Sequence, residues 1–350
     1  MFLHALATSV PPVSLSQEEC ARMASQPEIR NRLSRRSQLL VHAVLRGDSG
    51  VDRRHFAVSD VPGVFGLSAD DLNEAFRREA PRLAGAALQD ALRQVNLCPD
   101  ELDALLICTC TGYLCPGLSS YVAEQLGIRS DAVLHDIAGL GCGAAIPTLR
   151  MADALLRVEP GARVATVAVE ICSAAFYLDD DPGVLISACL FGDGAAAAIW
   201  GSRPRGEALA VHSFSTHHEP AHRDKIRFEQ RNGKLRNLLD GAVPSLAAGA
   251  VTRLHERERA RTGAAKIDRV LAHPGGRDVV NALERALPQY DFGGSRRVLR
   301  QYGNMSSPSV LFVLKDALQN GRPAAGADWW LVSFGAGFSA HACRFGAPAG

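Results

Sequence analysis

The stretch Leu140-Gly141-Cys142-Gly143-Ala144-Ala145 decides how the rest of the chain is read. Small residues flank one cysteine, and behind them Leu149, Ala152, Leu155 and Leu156 recur at helical spacing within 146–157. The stretch therefore predicts a turn that delivers Cys142 to the start of a helix. Unpaired N–H groups and the positive end of the helix dipole favour an anion there, so the thiol pKa is expected to fall. Gly141 and Gly143 keep side chains out of the path of an incoming carbonyl. A free cysteine also packs as a small buried hydrophobe, so the remaining chain has to choose between the two readings.

The chain has 350 residues, enough for one large domain or two ordinary ones. Its 38 basic and 37 acidic side chains leave no overall field for nucleic acid or an anionic membrane, so a substrate has to be recognised locally. Nine cysteines without a paired framework fit a reduced, cytoplasmic protein. The first ten residues lack the basic region of a signal peptide, and no apolar run approaches the roughly 20 residues of a membrane span.

Apolar runs predict buried strands at 103–109, 132–135, 162–171, 196–200 and 209–215, and later at 269–272, 329–334 and 338–345. Helical periodicity covers 15–33, 69–95, 118–126, 242–261, 279–287 and 310–318, while 216–240 reads as an irregular loop. Arginines gather at Arg30, Arg32, Arg35, Arg36, Arg46, Arg53 and Arg54.

The two halves repeat one arrangement. Gly141-Cys142-Gly143-Ala144-Ala145 opens its helix as Gly303-Asn304-Met305-Ser306-Ser307 opens another. Cys110, at a strand end, precedes Cys142 by 32 residues, and His273, at a strand end, precedes Asn304 by 31. Two strand–helix units of matching spacing predict an α/β fold of two duplicated halves, 1–215 and 216–350, with a site at their junction. Cys142 comes from the first half, and His273 and Asn304 from the second.

Thiolate, imidazole and carboxamide together suit thioester chemistry. Cys142 would take an acyl group from a thioester, with His273 pairing the resting thiolate. His273 and Asn304 would donate hydrogen bonds to a second thioester carbonyl as charge develops on it. If that thioester is malonyl, loss of carbon dioxide yields an enolate that attacks the acyl-cysteine. Alone, His273 also reads as a turn residue before Pro274, and Asn304 as a helix N-cap.

Gly-Cys-Gly-Ala-Ala at Cys142, Ala-His-Pro-Gly-Gly at His273, Tyr-Gly-Asn-Met-Ser-Ser at Asn304, Leu-Phe-Gly-Asp-Gly-Ala at Phe191 and the closing Ser333-Phe334-Gly335-Ala336-Gly337-Phe338 resemble the type III polyketide synthases of the chalcone synthase family. The resemblance spans essentially the whole chain. It implies a thiolase-type αβαβα layered fold, a homodimer, Cys142 as acyl carrier, and His273 with Asn304 as the decarboxylating pair. It further implies Phe191 as the aromatic gate between tunnel and cavity, with Gly335 and Phe338 of the closing motif at the substrate. Coenzyme A thioesters, malonyl-CoA and an acyl-CoA, would be substrates, with no separate cofactor and no metal. Whether coenzyme A or an acyl carrier protein delivers the starter stays open. Arg36, Arg46, Arg53 and Arg54 lie near the basic tunnel mouth of the family.

Departures from the plant pattern suggest the substrate. Cys110, Cys172 and Ala175 stand where plant members carry threonines, and Cys115 where a methionine reaches across the dimer. The stretch 170–177 resembles bacterial alkylresorcinol and alkylpyrone synthases. A medium- or long-chain fatty acyl starter, extended by malonyl units and cyclised, is the expectation; the alternatives are malonyl-CoA itself or an aromatic starter. A single-condensation β-ketoacyl synthase III shares Cys, His and Asn but carries Gln-Ala-Asn where Pro274-Gly275-Gly276 stands. A thiolase or hydroxymethylglutaryl synthase needs a further base that the chain does not offer, and Cys108, Cys110 and Cys115 lack the second pair of a metal module.

Overall fold

The computed structural model describes residues 1–206, 208–261 and 267–347. In chain order, the first half holds β1 (Phe2–Ser9), β2 (Val13–Ser16), α1 (Gln17–Ala24), α2 (Pro27–Arg30), α3 (Arg35–Arg46), β3 (Arg53–Phe56), α4 (Ala69–Gln94), β4 (Ala104–Cys108), α5 (Leu118–Leu126), β5 (Val133–Ile137), α6 (Ala145–Val158), β6 (Val164–Glu170), α7 (Pro182–Leu190) and β7 (Gly194–Gly201). Then come β8 (Leu209–His218), β9 (Ile226–Arg231), β10 (Lys234–Leu239), α8 (Val243–Arg261), β11 (Arg269–Ala272), α9 (Arg277–Ala286), α10 (Gly293–Tyr302), α11 (Ser309–Gln319), β12 (Asp328–Gly335) and β13 (Ser339–Gly346).

The duplication is visible in the strand pairing. The sheet runs β11-β12-β13-β8-β1-β7-β6-β4-β5. From one side, β4 and β6 are parallel, β6 and β7 antiparallel, and β7 and β1 antiparallel. From the other, β11 and β12 are parallel, β12 and β13 antiparallel, and β13 and β8 antiparallel. The two halves of this sheet are joined only where Phe2 and Leu3 pair with Ala210 and Leu209. β8 thus belongs by pairing to the second half, and a boundary at 215/216 cuts through it.

Side chains alternate between the faces of each strand and so create layers. In β4, Leu105 and Ile107 pack outward with α4, whereas Ala104, Leu106 and Cys108 pack inward with α6 and α11. In β12, Trp329 and Leu331 face the same central helices, and Trp330, Val332 and Phe334 face α8 and α9. The result is helix, sheet, helix, sheet, helix. The alanines of β7 (Gly194–Gly201) are buried on both faces, and small side chains there let helices approach from either side. α4 begins at a capping box between Ser68 and Asp71 and buries Ala75, Ala80, Ala84, Ala87 and Ala91.

The structure departs from the sequence expectations at several elements, among them α3, which no periodicity marked. Residues 2–9 form β1, clamped between β7 and β8. Residues 15–33 divide into β2, α1 and α2, with Ser16 as the α1 N-cap. The expected loop at 216–240 holds the β9–β10 hairpin, closed by Asn232 and Gly233 at φ 52° and 73°. α7 and α10 are helices that the periodicity left unmarked: Pro182 stands at an N-terminus and Gly293-Gly294 open the other, residues that read as turn signals.

Candidate active site

Both halves deliver their central helix to one place. Cys142 lies in a 3-10 turn, Gly141–Gly143, just before α6, and Gly141 has φ 55°. The end of β12 docks on this turn, where Ser333 Oγ donates to the Gly143 carbonyl at 3.2 Å. From the second half, His273 follows β11 and is 1% exposed, and Asn304 precedes α11 and is 2% exposed. Asn304 is not the α11 N-cap, a place taken by Pro308.

The three residues line one cavity of about 520 Å³, together with Phe191 and Phe334. Its rim includes Ala43 of α3, Gly47, Asp48 and Ser49 just after that helix, and Arg277 and Asp278 at the start of α9. A second cavity of about 660 Å³ lies on the other side of Cys142 and Phe191, bounded by Leu72, Phe76, Thr109, Cys110, Thr111, Ala174, Asn237 and Ser306, and reaches the surface at Asp70, Tyr113 and Gln230. Cys142, Phe191 and Ile226 line both, so the sulfur stands where a tunnel and an inner chamber meet.

The polar groups are tightly held. Asn304 Nδ2 donates to the Gly275 carbonyl at 3.2 Å, and its Oδ1 accepts from the Ser306 N–H at 2.8 Å. The second Nδ2 hydrogen is directed at Cys142. The His273 ring stands edge-on to Phe334 with centroids 5.2 Å apart, and its Nδ1 has no partner among the described residues. Burial lowers the His273 pKa to about 3. Burial also pushes the Cys142 thiol up to about 12, helped by the nearby Glu170 carboxylate and opposed by hydrogen bonds from Ser306 and Asn304. Desolvation thus outweighs the helix-end effect expected from the sequence. Each shift is the penalty for a lone buried charge.

Two further residues complete the site, and the sequence reading passed over both. Glu170 ends β6 with no exposure and accepts hydrogen bonds from Thr109 Oγ1, the Cys110 N–H and Sγ, the Thr111 N–H and Oγ1, and Ser307 Oγ. Its signal was a carboxylate closing an otherwise apolar strand. Ser306 sits at φ 58°, a region unfavourable to non-glycine residues, and its Oγ lies 3.3 Å from Cys110 Sγ.

Other expected site residues fall elsewhere. Cys110 does line the inner cavity. In the 3-10 turn Cys172–Ala175 only Ala174 reaches that wall; Cys172 and Ala175 are buried behind it. Cys115 is exposed and lines neither cavity, although Tyr113 of the same loop does. Gly335 touches no cavity but packs on the Cys142 turn, and Phe338 is fully buried in the core under α8 and α9, so Phe334 and Ala336 are the wall residues of that motif. Arg36, Arg46 and Arg53 are exposed outside the cavities, and Arg54 is buried in the scaffold. At the tunnel mouth itself Arg277 is already bonded to the Asp48 carbonyl and to Asp278.

The paired sheets and central helices define a thiolase-like condensing fold. Residues 30–222 match the FAE1/type III polyketide synthase-like family and residues 220–343 the C-terminal domain of chalcone and stilbene synthases. The chain belongs to the type III polyketide synthase family and is an acyltransferase that condenses acyl and malonyl thioesters. It is 28% identical over 339 residues to 1,3,6,8-tetrahydroxynaphthalene synthase of Streptomyces coelicolor, covering 96% of this chain and 89% of that one. The crystal structure of the Streptomyces coelicolor synthase superposes with a TM-score of 0.86 at 27% identity over 100% of both chains. Similarity to 3,5-dihydroxyphenylacetyl-CoA synthase of Streptomyces toyocaensis is 29%, over 77% of this chain and 72% of the relative. No helix among the described residues is long and apolar enough to cross a membrane.

Proposed function

We propose that the chain builds a polyhydroxylated aromatic polyketide from malonyl-CoA, with malonyl-CoA also supplying the starter. The observation that carries this reading is Cys142 at the junction of two cavities, the inner one bounded by Thr109, Thr111, Cys110, Asn237 and Ser306 as well as by apolar Leu72, Phe76, Ala174 and Leu235. A poly-β-keto chain carries a carbonyl at alternate carbons and is suited by such polar neighbours, whereas a fatty acyl chain wants an unbroken apolar wall. Two supports of the fatty-acyl expectation, Cys172 and Ala175, do not line the chamber. Resemblance to relatives named for tetrahydroxynaphthalene and dihydroxyphenylacetyl-CoA supports the same reading.

In this reading Cys142 Sγ, its proton taken by His273, attacks the starter thioester; the acyl group passes to sulfur and coenzyme A leaves with the proton. A malonyl-CoA in the tunnel then directs its thioester oxygen to His273 and to Asn304 Nδ2, whose hydrogen turns from Cys142 once the sulfur is acylated. Its carboxylate leaves as carbon dioxide, and the enolate carbon bonds to the acyl carbon as the bond to Cys142 sulfur breaks. The lengthened acyl-CoA returns to Cys142, and the chain grows past Phe191 into the inner chamber. The test is mass spectrometry of products from malonyl-CoA alone and from malonyl-CoA with acyl-CoA starters of increasing length. Aromatic product from malonyl-CoA alone is expected; product formed only with medium- or long-chain starters would restore the fatty-acyl reading.

A homodimer accompanies this reading. β5 is a sheet edge with exposed Val133, and Tyr113, 77% exposed, borders the inner chamber, features that a second copy would cover. Light scattering on the purified chain should give twice the 37.3 kDa chain mass, and a monomeric mass would contradict it.

A further inference from the structure

Arg54 is 3% exposed, yet among the described residues its bonds go to three neutral oxygens. Nε donates to Gln17 Oε1 at 3.0 Å, and Nη1 donates to the carbonyls of Ala188 and Phe191, both at 2.8 Å. The first carbonyl belongs to the last turn of α7 and the second lies just past it, where the negative end of the helix favours a cation. The guanidinium also lies 5.0 Å from the centroid of the Phe56 ring.

The stem of the side chain is as constrained as its head. A Cβ on Gly192 would lie 3.4 Å from Arg54 Cβ, and one on Gly303 would lie 2.9 Å from Arg54 Cγ. Gly192 follows Phe191, and Gly303, at φ 69°, precedes Asn304. These segments are paired to each other: the Asn304 N–H donates to the Leu190 carbonyl at 2.9 Å, and the Gly192 N–H donates to the Asn304 carbonyl at 3.0 Å. Gln17 extends the network to the tunnel, donating to the Cys189 carbonyl at 3.1 Å and to Ser49 Oγ at 3.3 Å.

We propose that Arg54 is a positioning residue for the condensation: it fixes Phe191 and, through the paired backbone, Asn304 relative to Cys142. The inference rests on the reading of Phe191 as gate and Asn304 as carbonyl donor. Burying a guanidinium is costly unless its hydrogens are matched, and a lysine head cannot make the same forked contact. Releasing the fork frees the Phe191 carbonyl and lets the carboxamide drift while both side chains remain present.

The test compares Arg54→Lys, Arg54→Met and Gln17→Leu by three readouts: carbon dioxide released per extension completed, product chain length, and melting temperature. A misplacement of about 1 Å costs on the order of 100-fold in rate. Arg54→Met should lose about that much polyketide formation, with a several-fold rise in carbon dioxide released per extension and a shift in product length. Arg54→Lys should fall between it and the parent, and Gln17→Leu, which removes only the Nε acceptor, should move the same readouts less. A role in stability alone would lower the melting temperature and leave the ratio and the product lengths unchanged. If Arg54→Met does not fold, the other two variants decide: parental ratio and product lengths in both overturn the proposal. Asn304→Ala serves as the control. If it leaves decarboxylation intact, the underlying reading fails; if it abolishes decarboxylation while the Arg54 and Gln17 variants keep the parental ratio, only the positioning proposal fails.

Discussion

Gly335 packs against the backbone of Cys142: a Cβ on Gly335 would lie 3.0 Å from the Cys142 nitrogen and 2.5 Å from that of Gly143. Both contacts are main chain and cannot swing aside. Gly335→Ala should therefore push the nucleophile turn away from β12, at a stability cost of about 1–3 kcal/mol and a rate loss approaching 100-fold. Denaturation midpoints and polyketide turnover check this, and a variant with parental turnover would contradict the close packing.

Asp193 supplies a pH-dependent test of the scaffold beneath Phe191. It is fully buried, accepting from the Ala57 N–H at 2.7 Å and the Ser173 N–H at 2.8 Å, and burial raises its pKa to about 6. A carboxyl whose pKa is raised on folding binds its proton more tightly when folded, so this group's contribution falls as pH rises from about 4 to about 6. The span corresponds to about 3 kcal/mol. Asp193→Asn removes the titration, so its deficit against the parent in urea unfolding should be largest near pH 4 and narrow towards pH 7. A deficit that widens with pH would contradict the assignment.

Ala174 and Ala175 separate chamber wall from packing. Ala174 borders the inner chamber and Ala175 does not. Ala174→Thr should shorten the polyketide or stop it early, read by product mass. Ala175→Thr should change stability by about 1–3 kcal/mol and leave the product unchanged. The reverse pattern would contradict the placement of this turn.

What the sequence revealed follows from how each element is buried. β4 and β6 are buried on both faces and read as apolar runs, and α4 and α6 show helical periodicity. The matched spacing of Cys142 with Asn304 survived because both halves use the same strand–helix unit around one junction. β1 was hidden because eight residues at a chain start carry little pattern of their own; their burial comes from β7 and β8. The β9–β10 hairpin is half-buried on both faces and so lacks alternation, yet Asn232-Gly233 is a strong hairpin turn signal that would have marked it. Ala174 was missed by one residue, since only the geometry of a 3-10 turn tells it from Ala175. Arg54 looked like its exposed neighbours because a charge in sequence does not reveal that helix-end carbonyls await it.

The central claim is that Cys142 carries the growing chain between the tunnel and the inner chamber. Rapid quenching with malonyl-CoA, followed by peptide mass spectrometry, tests it most directly. Acyl adducts of increasing length are expected on the peptide bearing Cys142, and neither adducts nor polyketide from Cys142→Ala. Adducts on the peptides of Cys110 or Cys172 with Cys142 unmodified, or polyketide from Cys142→Ala at the parental rate, would contradict it.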